Sequence, residues 1–408
     1  MRAMPTSSPY AMVSVDEACA AILVRAAPLG TERVSILVAA GRVLAADVIA
    51  DGPLPPGPRS AVDGYAVRAA DRGDRALLGE ELIAGPEHSI DVGAGQAVRI
   101  MTGAPMPTGA DAVVMVEDTA ESDRHVQIHL EATLGSNVHR PGLDIETGQL
   151  VVEAGAVIGP SEIGLLATIG VADVPVYRRP RVAILATGDE LVEPWETPPP
   201  GCIRDSNRYA LMAAVSEAGA DVAWQGIARD RDDDLTSKVQ NALAAADVLI
   251  TSGGVSMGTR DLIKPLLEHL GTVHFGRVNF KPGKPLTFAT VGDKRVFGLP
   301  GFPVSSLVTF EVFVRAAILT MAGRRDVRRP RIEVELDHEL RPDPSRPEYH
   351  RAVVGWRDGR LTARSTGAQG SSRLLSMRGA NALLVLRASD QVLPAGTRVT
   401  ALLTGALQ

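Results

Sequence analysis

The sequence predicts a multidomain protein with a central doubly wound α/β domain and β-rich regions on both sides of it. Strand-like and helix-like segments alternate between about residues 180 and 325, whereas short β-like runs dominate the flanks. Strands that alternate with helices of this length are typical of a parallel sheet covered by helices on both faces. A chain of 408 residues is also too long for one ordinary domain.

The elements of the central region follow one another with short connections. RVAILATGDEL reads as a buried strand that runs into a turn, and DSNRYALMAAVSEAGA reads as a helix that Asp205 or Ser206 caps and Gly219 ends. Two further helices are predicted over DDLTSKVQNALAAA and DLIKPLLEHLG. The remaining predicted strands are VAWQGIA, DVLITSGG, VHFGRV, LTFATV and RVFGLPG. A helix that begins with proline, PVSSLVTFEVFVRAAILTMAG, closes the region.

The flanking regions have a different pattern. VSVDEACAAILVRAA predicts an amphipathic helix, and the proline-rich connector ADGPLPPGPRS follows it. Asp358-Gly359 lies between two apolar runs, which predicts a tight hairpin. His125 and His129 have the spacing of a helical metal pair, but HVQIHLE alternates like a strand, so a solvated strand face is the expected role.

Composition argues against several classes of protein. A formal net charge of −6 and an aromatic content of 4% disfavour a nucleic-acid binder. Two cysteines, Cys19 and Cys202, do not make a disulfide framework, which suits a reducing cytoplasm. The start of the chain lacks the apolar core of a signal peptide, and no run of about 18 apolar residues suggests a membrane span. We therefore expect a cytoplasmic protein without a membrane partner.

Three glycine-containing turns leave predicted strands: ATGDE (186–190), TSGGVSMG (251–258) and GLPGFPVS (298–305). Because ligands bind beyond the carboxyl ends of parallel strands, these turns should meet at one edge. Free backbone N–H groups there would form an anion cradle. Gly253 and Gly258 have the glycine spacing of a P-loop, but Thr259-Arg260 stands where that motif requires Lys-Ser/Thr. Each turn alone is also consistent with a simple tight bend.

Charged side chains complete this predicted site. KPGKP (281–285) holds two lysines in a rigid turn, which suits either an oxyanion clamp or a solvated basic loop. Carboxylates beside lysines suit Mg²⁺ on a polyphosphate, although helix capping is an alternative role for each acid. The acids at or near strand ends are Asp189, Glu190, Asp205, Asp230 and Asp261.

Together these motifs resemble the molybdopterin molybdenumtransferases, the MoeA family that includes the E domains of gephyrin and of its plant relative. ATGDEL, RDSN, TSGGVSMGTRD, FKPGKPL and GLPGFPVS carry the resemblance in the central region. SAVDGYAVR, RIMTGAPMPTGADAVVMVE, RPGLDIETG, RPEYHRA and STGAQGSSRLLSMRGANALLVL carry it in the flanks. The resemblance extends from about residue 13 to residue 405.

The resemblance implies four domains and a homodimer whose active sites draw on both subunits. Residues 13–57 and 141–179 would form a discontinuous linker and dimerisation domain, and 58–140 a β-rich insertion. Residues 180–327 would form a molybdopterin-binding, MogA-like α/β domain, and 328–408 a β-barrel-like domain.

The implied reaction is the insertion of molybdate into adenylylated molybdopterin, with Mg²⁺-dependent release of AMP, in molybdenum cofactor synthesis. The implied partners are the molybdopterin adenylyltransferase that supplies the substrate and the molybdoenzymes that receive the cofactor. Two alternatives share the central fold: a molybdopterin adenylyltransferase and a non-catalytic scaffold.

The family's site residues match positions of this chain. Its molybdate site matches Lys281, Lys284, Ser305, Arg346 and Ser371. Its acidic and pterin-nucleotide positions match Asp63, Thr102, Asp144, Glu190, Asp230 and Asp261, of which Asp261 with Asp230 or Glu190 would place Mg²⁺. Its phosphate loop matches Ser252, Gly253, Gly254, Ser256 and Gly258. In one departure, Phe302 replaces the asparagine of the commoner LPGNPVS, so an amide donor is lost and a bulky apolar ring gained.

Overall fold

The computed structural model describes residues 10–85, 89–254 and 262–408. The chain divides into two compact units. The first comprises the described parts of Met1–Arg33, Gly41–Ala45 and Pro175–Gln408, and the second comprises Val34–Ala40 and Ala46–Val174. The predicted four-domain boundaries stay a prediction.

Seven α-helices lie in the described ranges. They are α1 Val15–Leu23, α2 Pro160–Thr168, α3 Asn207–Glu217, α4 Asp232–Ala245, α5 Ile263–Leu270, α6 Pro303–Thr309 and α7 Arg315–Met321. Three short 3₁₀ helices are Ile36–Val38, Val116–Asp118 and Leu374–Met377, and a π-helical turn, Phe310–Val314, joins α6 to α7.

The strands are short and numerous. Those before residue 180 are β1 Thr31–Ser35, β2 Val48–Ile49, β3 Arg59–Ser60, β4 Gly64–Val67, β5 Arg75–Leu82, β6 Gln96–Ile100, β7 Ala112–Met115, β8 Thr119–Ser122, β9 His125–Ile128, β10 Val138–His139, β11 Leu150–Val152 and β12 Asp173–Tyr177. Those after it are β13 Arg181–Thr187, β14 Leu191–Val192, β15 Ile203–Arg204, β16 Asp221–Ala228, β17 Val248–Ser252, β18 Thr272–Phe275, β19 Thr287–Val291, β20 Lys294–Leu299, β21 Arg331–Leu336, β22 Glu348–Arg357, β23 Arg360–Ser365, β24 Ala382–Leu386 and β25 Arg398–Leu403.

The central domain of the first unit is a six-stranded sheet in the order β16-β13-β17-β20-β19-β18. β16, β13, β17 and β20 run parallel, as predicted, but β19 pairs antiparallel with both of its neighbours, so the prediction of a parallel sheet does not hold for β19. The cause is a two-residue turn: Val291 pairs with Lys294 around Gly292-Asp293, and Gly292 has φ +56°. A Gly-Asp turn leaves no room for a crossover helix, which a parallel connection requires.

Helices cover both faces of this sheet, as the doubly wound prediction requires. Val182 and Ile184 of β13 belong to one core cluster, with residues of α1, α3, α6 and α7. The alternate residues Ala183 and Leu185 belong to another, with residues of α4 and α5. This alternation follows from the two-residue period of a strand.

The predicted start of α3 is confirmed in detail. Ser206 is the residue before the first turn, but its side chain makes no capping hydrogen bond. The carboxylate of Asp205 accepts the Arg208 N–H instead, at 3.1 Å. Asp205 therefore satisfies one of the N–H groups that the first turn of a helix leaves without a partner.

The closing helical segment, Pro303–Met321, is long and apolar enough to cross a membrane, contrary to the expectation that no such run exists. However, 67% of the most apolar 18-residue stretch of this segment is buried inside the protein. Val304, Val308, Phe313 and Ile318 pack in the α/β core. Burial against the sheet explains why a core helix has this composition.

A closed five-stranded barrel, β21-β23-β22-β24-β25, ends the first unit. Ala352, Val354 and Leu384 are among its fully buried residues. The predicted hairpin is confirmed: Arg357 pairs with Arg360, and Asp358 and Gly359 have φ values of +50° and +74°. Positive φ at both central residues is the signature of a type I′ turn.

The second unit contains a six-stranded sheet in the order β7-β4-β6-β5-β9-β8. Ala66, Val98 and Val113 pack on one face, and Tyr65, Ala97 and Val114 pack on the other. His125 and His129 are exposed, at and just after strand β9, as the strand interpretation predicted.

Candidate active site

A cavity of about 680 Å³ opens at the carboxyl edge of the central sheet. Its walls come from residues at or just after the ends of β13, β17 and β20: Thr187-Gly188, Gly253-Gly254 and Pro300-Gly301. The predicted meeting of the three glycine turns at one edge is therefore confirmed. Pro285 of the KPGKP turn and Ser372 of the C-terminal region also line this cavity.

Asn207, at the start of α3, joins two of the three turns. Its side-chain amide donates to the Ser252 hydroxyl at 2.9 Å and to the Gly301 carbonyl at 2.7 Å. The prediction of site residues missed Asn207, although it belongs to the RDSN motif. An asparagine in the first helical turn, next to a predicted ligand edge, was the available signal, because this residue is otherwise a weak helix former.

Two glycines are required where the β17 turn passes β13. Gly253 and Gly254 have φ values of +92° and +66°. A Cβ at Gly253 would lie 2.8 Å from the Thr187 carbonyl oxygen, and one at Gly254 would lie 2.9 Å from the Thr187 hydroxyl. No side chain fits in either position, so this turn packs directly against the end of β13.

The Gly253 N–H donates to the Leu299 carbonyl at 3.1 Å. That N–H is engaged between neighbouring turns, so the predicted phosphate cradle cannot use it while this bond is formed. The predicted residues Ser256, Gly258 and Asp261 lie outside the described residues.

Glu190 and Asp230 line the cavity, as expected of the acidic positions. The Glu190 carboxylate lies close to Gly188: a Cβ added to Gly188 would lie 2.5 Å from Glu190 Oε2. The Asp230 N–H donates to the Asp189 carboxylate at 3.1 Å. Arg229 fixes the same turn, because its guanidinium donates to the carbonyls of Asp189 and Leu191 at 3.1 and 3.0 Å. Two carboxylates thus reach the cavity from two turns, one after β13 and one after β16, that hydrogen bonds hold together.

Asp205 has a structural role rather than that of an available ligand. Its carboxylate accepts from Arg208 Nε at 2.9 Å, and both side chains are almost fully buried. Arg208 also pairs with Glu193 at 2.5 Å. Burial disfavours the charged guanidinium, but contacts with Asp205 and Glu193 outweigh it and raise the pKa of Arg208. This cluster fixes the segment between β14 and α3, which supplies Ile203 and Ser206 to the cavity.

Lys281, the first lysine of KPGKP, is held by two carboxylates. Its ammonium lies 3.3 Å from Asp343 Oδ2 and 3.4 Å from Glu348 Oε1. Burial acts to raise the pKa of Asp343, but hydrogen bonds from Ser345 and Lys281 lower it to about 2. The same opposition holds for Glu348: burial favours the neutral form, while His350 and Lys281 keep its pKa below the ordinary value. The charge of Lys281 is therefore already compensated by two carboxylates, neither of which was among the predicted site residues.

The other positions predicted to bind molybdate fall into two groups. Arg346 joins Lys281, because its guanidinium donates to the Phe280 carbonyl at 3.4 Å. Ser305 and Ser371 form the other group, since the Val304 N–H donates to the Ser371 carbonyl at 3.1 Å. Ser305 is buried at 3% exposure, whereas Ser371 is half-buried.

The KPGKP turn links these two groups. A Cβ at Gly283 would overlap the hydroxyl of Thr309, which lies one helical turn after Ser305. Lys284, in the same turn, is half-buried, and its carbonyl accepts the Val278 N–H at 2.9 Å. That all five side chains surround a single oxyanion stays a prediction.

In the second unit, two of the predicted residues form a contact. The Asp63 carboxylate accepts the Thr102 N–H at 2.7 Å and the Thr102 hydroxyl at 2.8 Å. These hydrogen bonds, the backbone one first, lower the pKa of Asp63. Asp144 is exposed, and its N–H donates to the Leu54 carbonyl at 3.0 Å.

The fold and the site define a class: a multidomain α/β protein with a carboxylate-lined cavity at the edge of the sheet and a C-terminal barrel. Family models match three successive regions of the chain. The MoeA N-terminal region (domain I and II) matches residues 13–170, a probable molybdopterin binding domain matches 183–320, and the MoeA C-terminal region (domain IV) matches 333–404.

Relatives and solved structures agree with these models. The molybdopterin molybdenumtransferase of Haemophilus influenzae is 34% identical over 95% of this chain and 98% of its own length. Gephyrin of Dictyostelium discoideum is 38% identical over 98% of this chain, which spans only 63% of gephyrin. A molybdopterin biosynthesis MoeA protein structure from Pyrococcus horikoshii has a TM-score of 0.84 at 31% identity, over 97% of this chain and all of that one. The chain belongs to the MoeA family of molybdopterin molybdenumtransferases.

Proposed function

We propose that this protein inserts molybdate into adenylylated molybdopterin and releases AMP in molybdenum cofactor synthesis. One observation carries the proposal: the KPGKP turn and the cavity at the edge of the sheet adjoin, because Pro285 lines the cavity that Glu190 and Asp230 also line. We infer that the cationic donors of this turn and the carboxylates of the cavity act on one ligand. Relatives named molybdopterin molybdenumtransferase match nearly the whole chain, which supports the same activity.

Five side chains would bind molybdate. Lys281, Lys284 and Arg346 would supply charged donors, and Ser305 and Ser371 would supply hydroxyls. A tetrahedral dianion is held best by charge-assisted hydrogen bonds from such groups. Asp343 and Glu348 would keep the Lys281 ammonium in one position, since both carboxylates lie within 3.4 Å of it.

Mg²⁺ dependence is part of the proposal, and the available side chains offer the carboxylate oxygens that this ion prefers. Glu190 and Asp230 offer carboxylate oxygens at the cavity, and Mg²⁺ typically takes one or two carboxylates beside substrate phosphates. Within the described ranges, no three His, Cys, Asp or Glu side chains are grouped closely enough to hold a metal ion. As the sequence resemblance implies, Glu190, Asp230 and Asp261 would share Mg²⁺ with the pyrophosphate of the substrate. Bound there, Mg²⁺ would neutralise charge on the pyrophosphate.

The setting of this reaction is also proposed. Adenylylated molybdopterin requires an adenylyltransferase that makes it, and the product requires an acceptor molybdoenzyme. A cytoplasmic homodimer is proposed as well, and the sequence resemblance supports it. A dimer would sediment with twice the chain mass of 42.9 kDa.

The direct test is AMP release from adenylylated molybdopterin with Mg²⁺ and molybdate. We expect molybdate-dependent release by the wild type and a loss of at least a hundredfold in Lys281→Ala, as expected when an oxyanion-binding group is removed. Lys294→Ala is the matched control, since Lys294 begins β20 at the opposite end of the sheet. ATP consumption with bare molybdopterin would indicate the adenylyltransferase instead, and binding without turnover would indicate a scaffold.

A further inference from the structure

Phe302 differs from every other phenylalanine of the chain. The chain has seven, and all lie in the described ranges. Phe302 is 61% exposed, whereas the other six are at most 2% exposed: Phe275, Phe280, Phe288, Phe297, Phe310 and Phe313. An exposed ring forgoes the hydrophobic stabilisation that the six buried rings gain. Packing within the core therefore does not explain position 302.

Helix formation does not explain Phe302 either. It is the N-cap residue of the helix that begins at Pro303, and its side chain makes no capping hydrogen bond. Ser, Thr, Asp and Asn are favoured at an N-cap, because their side-chain oxygens accept N–H groups of the first turn. Phenylalanine gives up that interaction. An aromatic side chain at this position therefore leaves the helix without the stabilisation that an N-cap hydrogen bond provides.

Phe302 is one of the residues that line the cavity. Ile203, which is 58% exposed, and the half-buried Pro303 add apolar surface to the same lining. Ala186, Leu191 and Pro285 also line the cavity, together with polar side chains that include Glu190, Asn207 and Asp230. A cavity with both exposed apolar surface and polar side chains suits a ligand that has a flat ring at one end and charged groups at the other.

We propose that Phe302 is a stacking platform for a planar heteroaromatic ring of the substrate. The proposal rests on the proposed function, in which the substrate carries two such rings, an adenine and a pterin. Stacking on an aromatic side chain needs only an accessible ring face, which Phe302 presents, and it tolerates different rings. Phe302 is accordingly a binding residue for the ring end of the ligand.

The test measures binding of AMP, of 6-hydroxymethylpterin and of ribose 5-phosphate by calorimetry. Phe302→Leu keeps an apolar side chain but removes the aromatic face. We expect it to weaken binding of one ring ligand by about 5- to 150-fold, as for other base–aromatic stacks. Ribose 5-phosphate, which has no aromatic ring, should bind unchanged. The ring ligand that weakens identifies the adenine or the pterin as the stacked group.

Two further variants separate stacking from a structural role. Phe302→Trp should retain ring binding, and its added indole fluorescence should be quenched at the ligand concentrations that saturate binding. Trp356→Leu, at an exposed aromatic residue of the barrel, is the matched control and should change nothing.

Three results would overturn the inference: no ring ligand binds the wild type, ring binding is equal in Phe302→Leu, or ribose 5-phosphate weakens as much as AMP. If Phe302→Leu bound the ring ligands as the wild type does but sedimented differently, Phe302 would be assigned to a contact between subunits. A wild type that releases AMP with molybdate while Phe302 has no effect would overturn only this inference. A wild type that binds rings without molybdate-dependent release would contradict only the proposed function.

Discussion

At the scale of single residues, the cavity depends on side chains that connect its walls. Asn207 joins the β17 turn to the β20 turn through two hydrogen bonds from one amide group. Asp343 and Glu348 fix the ammonium of Lys281 from the C-terminal region. Such residues position the groups that would contact substrate. Their removal should therefore weaken ligand binding even though they would not contact the ligand themselves.

Asn207→Ala should weaken substrate binding. The substitution removes both donors, which leaves the Gly301 carbonyl and the Ser252 hydroxyl without this bridge, and each such hydrogen bond contributes about 1 kcal/mol. We expect kcat/KM for molybdate-dependent AMP release to fall about tenfold or more. Asn241→Ala, at an exposed position of α4, is the control. Equal kinetics for the two variants would show that the bridge does not shape the site.

Asp343 should make stability depend on pH in the acid range. Its folded-state pKa of about 2 lies below the ordinary 3.8, so folding favours the ionised form. Its contribution is therefore complete above about pH 4 and is lost as the pH falls through about 2. At pH 7 we expect Asp343→Asn to cost about 1–2 kcal/mol, after allowance for solvent screening.

The measurement is the urea midpoint of wild type and Asp343→Asn from pH 7 to pH 3. The gap between the two proteins should be constant down to about pH 4 and should narrow below it. Asp390→Asn, at an exposed carboxyl of the same region, should show no gap. A gap that widens on acidification would contradict the assignment of Asp343 as an ionised partner of Lys281.

Residue identities at the site could be predicted from motifs, but their partners could not. KPGKP, RPEYHRA and the glycine turns singled out Lys281, Arg346 and Gly253 because each motif is local in sequence. The contact of Lys281 with Glu348 depends on the bridge that these two residues form between distant segments. Nothing in either segment alone specifies that register, so the compensation of the Lys281 charge was not predictable.

At the scale of elements, the KPGKP turn is fixed by close packing on α6. Gly283 has φ +123°, a region that other residues seldom adopt. A Cβ there would overlap the Thr309 hydroxyl and lie 2.8 Å from the Phe280 ring. Close packing thus fixes the backbone of the turn, and with it the backbone positions of Lys281 and Lys284.

Gly283→Ala should destabilise the protein and displace the lysines. Positive φ and overlap with Thr309 and Phe280 together should cost about 2–4 kcal/mol. Gly292→Ala is the matched control: it also has positive φ, but a Cβ there meets nothing within 4 Å, so it should cost about 1 kcal/mol. Thermal unfolding and the molybdate dependence of AMP release measure the two effects. Similar values for both variants would show that packing against α6 is unimportant.

Element types were more predictable than their directions. The alternation of strands and helices predicted β13, β16, β17 and the helices between them, because each carries its own hydrophobic period. The direction of β19 was missed because it depends on the Gly292-Asp293 turn rather than on the strand itself. The residues of the turn therefore determine the direction of β19, which the hydrophobic period of the strand does not.

At the scale of the whole molecule, the proposed site residues are divided between the two compact units. Asp63, Thr102 and Asp144 belong to the second unit, whereas Lys281, Arg346 and the cavity belong to the first. The sequence resemblance implies a homodimer whose active sites draw on both subunits, and we propose that the two groups of residues that complete one site come from different chains. That arrangement has a consequence that mixing experiments can measure.

Lys281→Ala and Asp63→Asn proteins should each be inactive alone and should complement each other when mixed. In a mixed dimer with shared sites, one site would combine both substitutions and the other would combine two wild-type halves. Unfolding and refolding an equal mixture would make about half of the dimers mixed, so activity should recover to about a quarter of wild type. A mixture of Lys281→Ala with Arg346→Ala is the control and should stay inactive, because both residues lie in one unit. If the first mixture also stayed inactive although native mass spectrometry showed mixed dimers, each site would be complete within one chain.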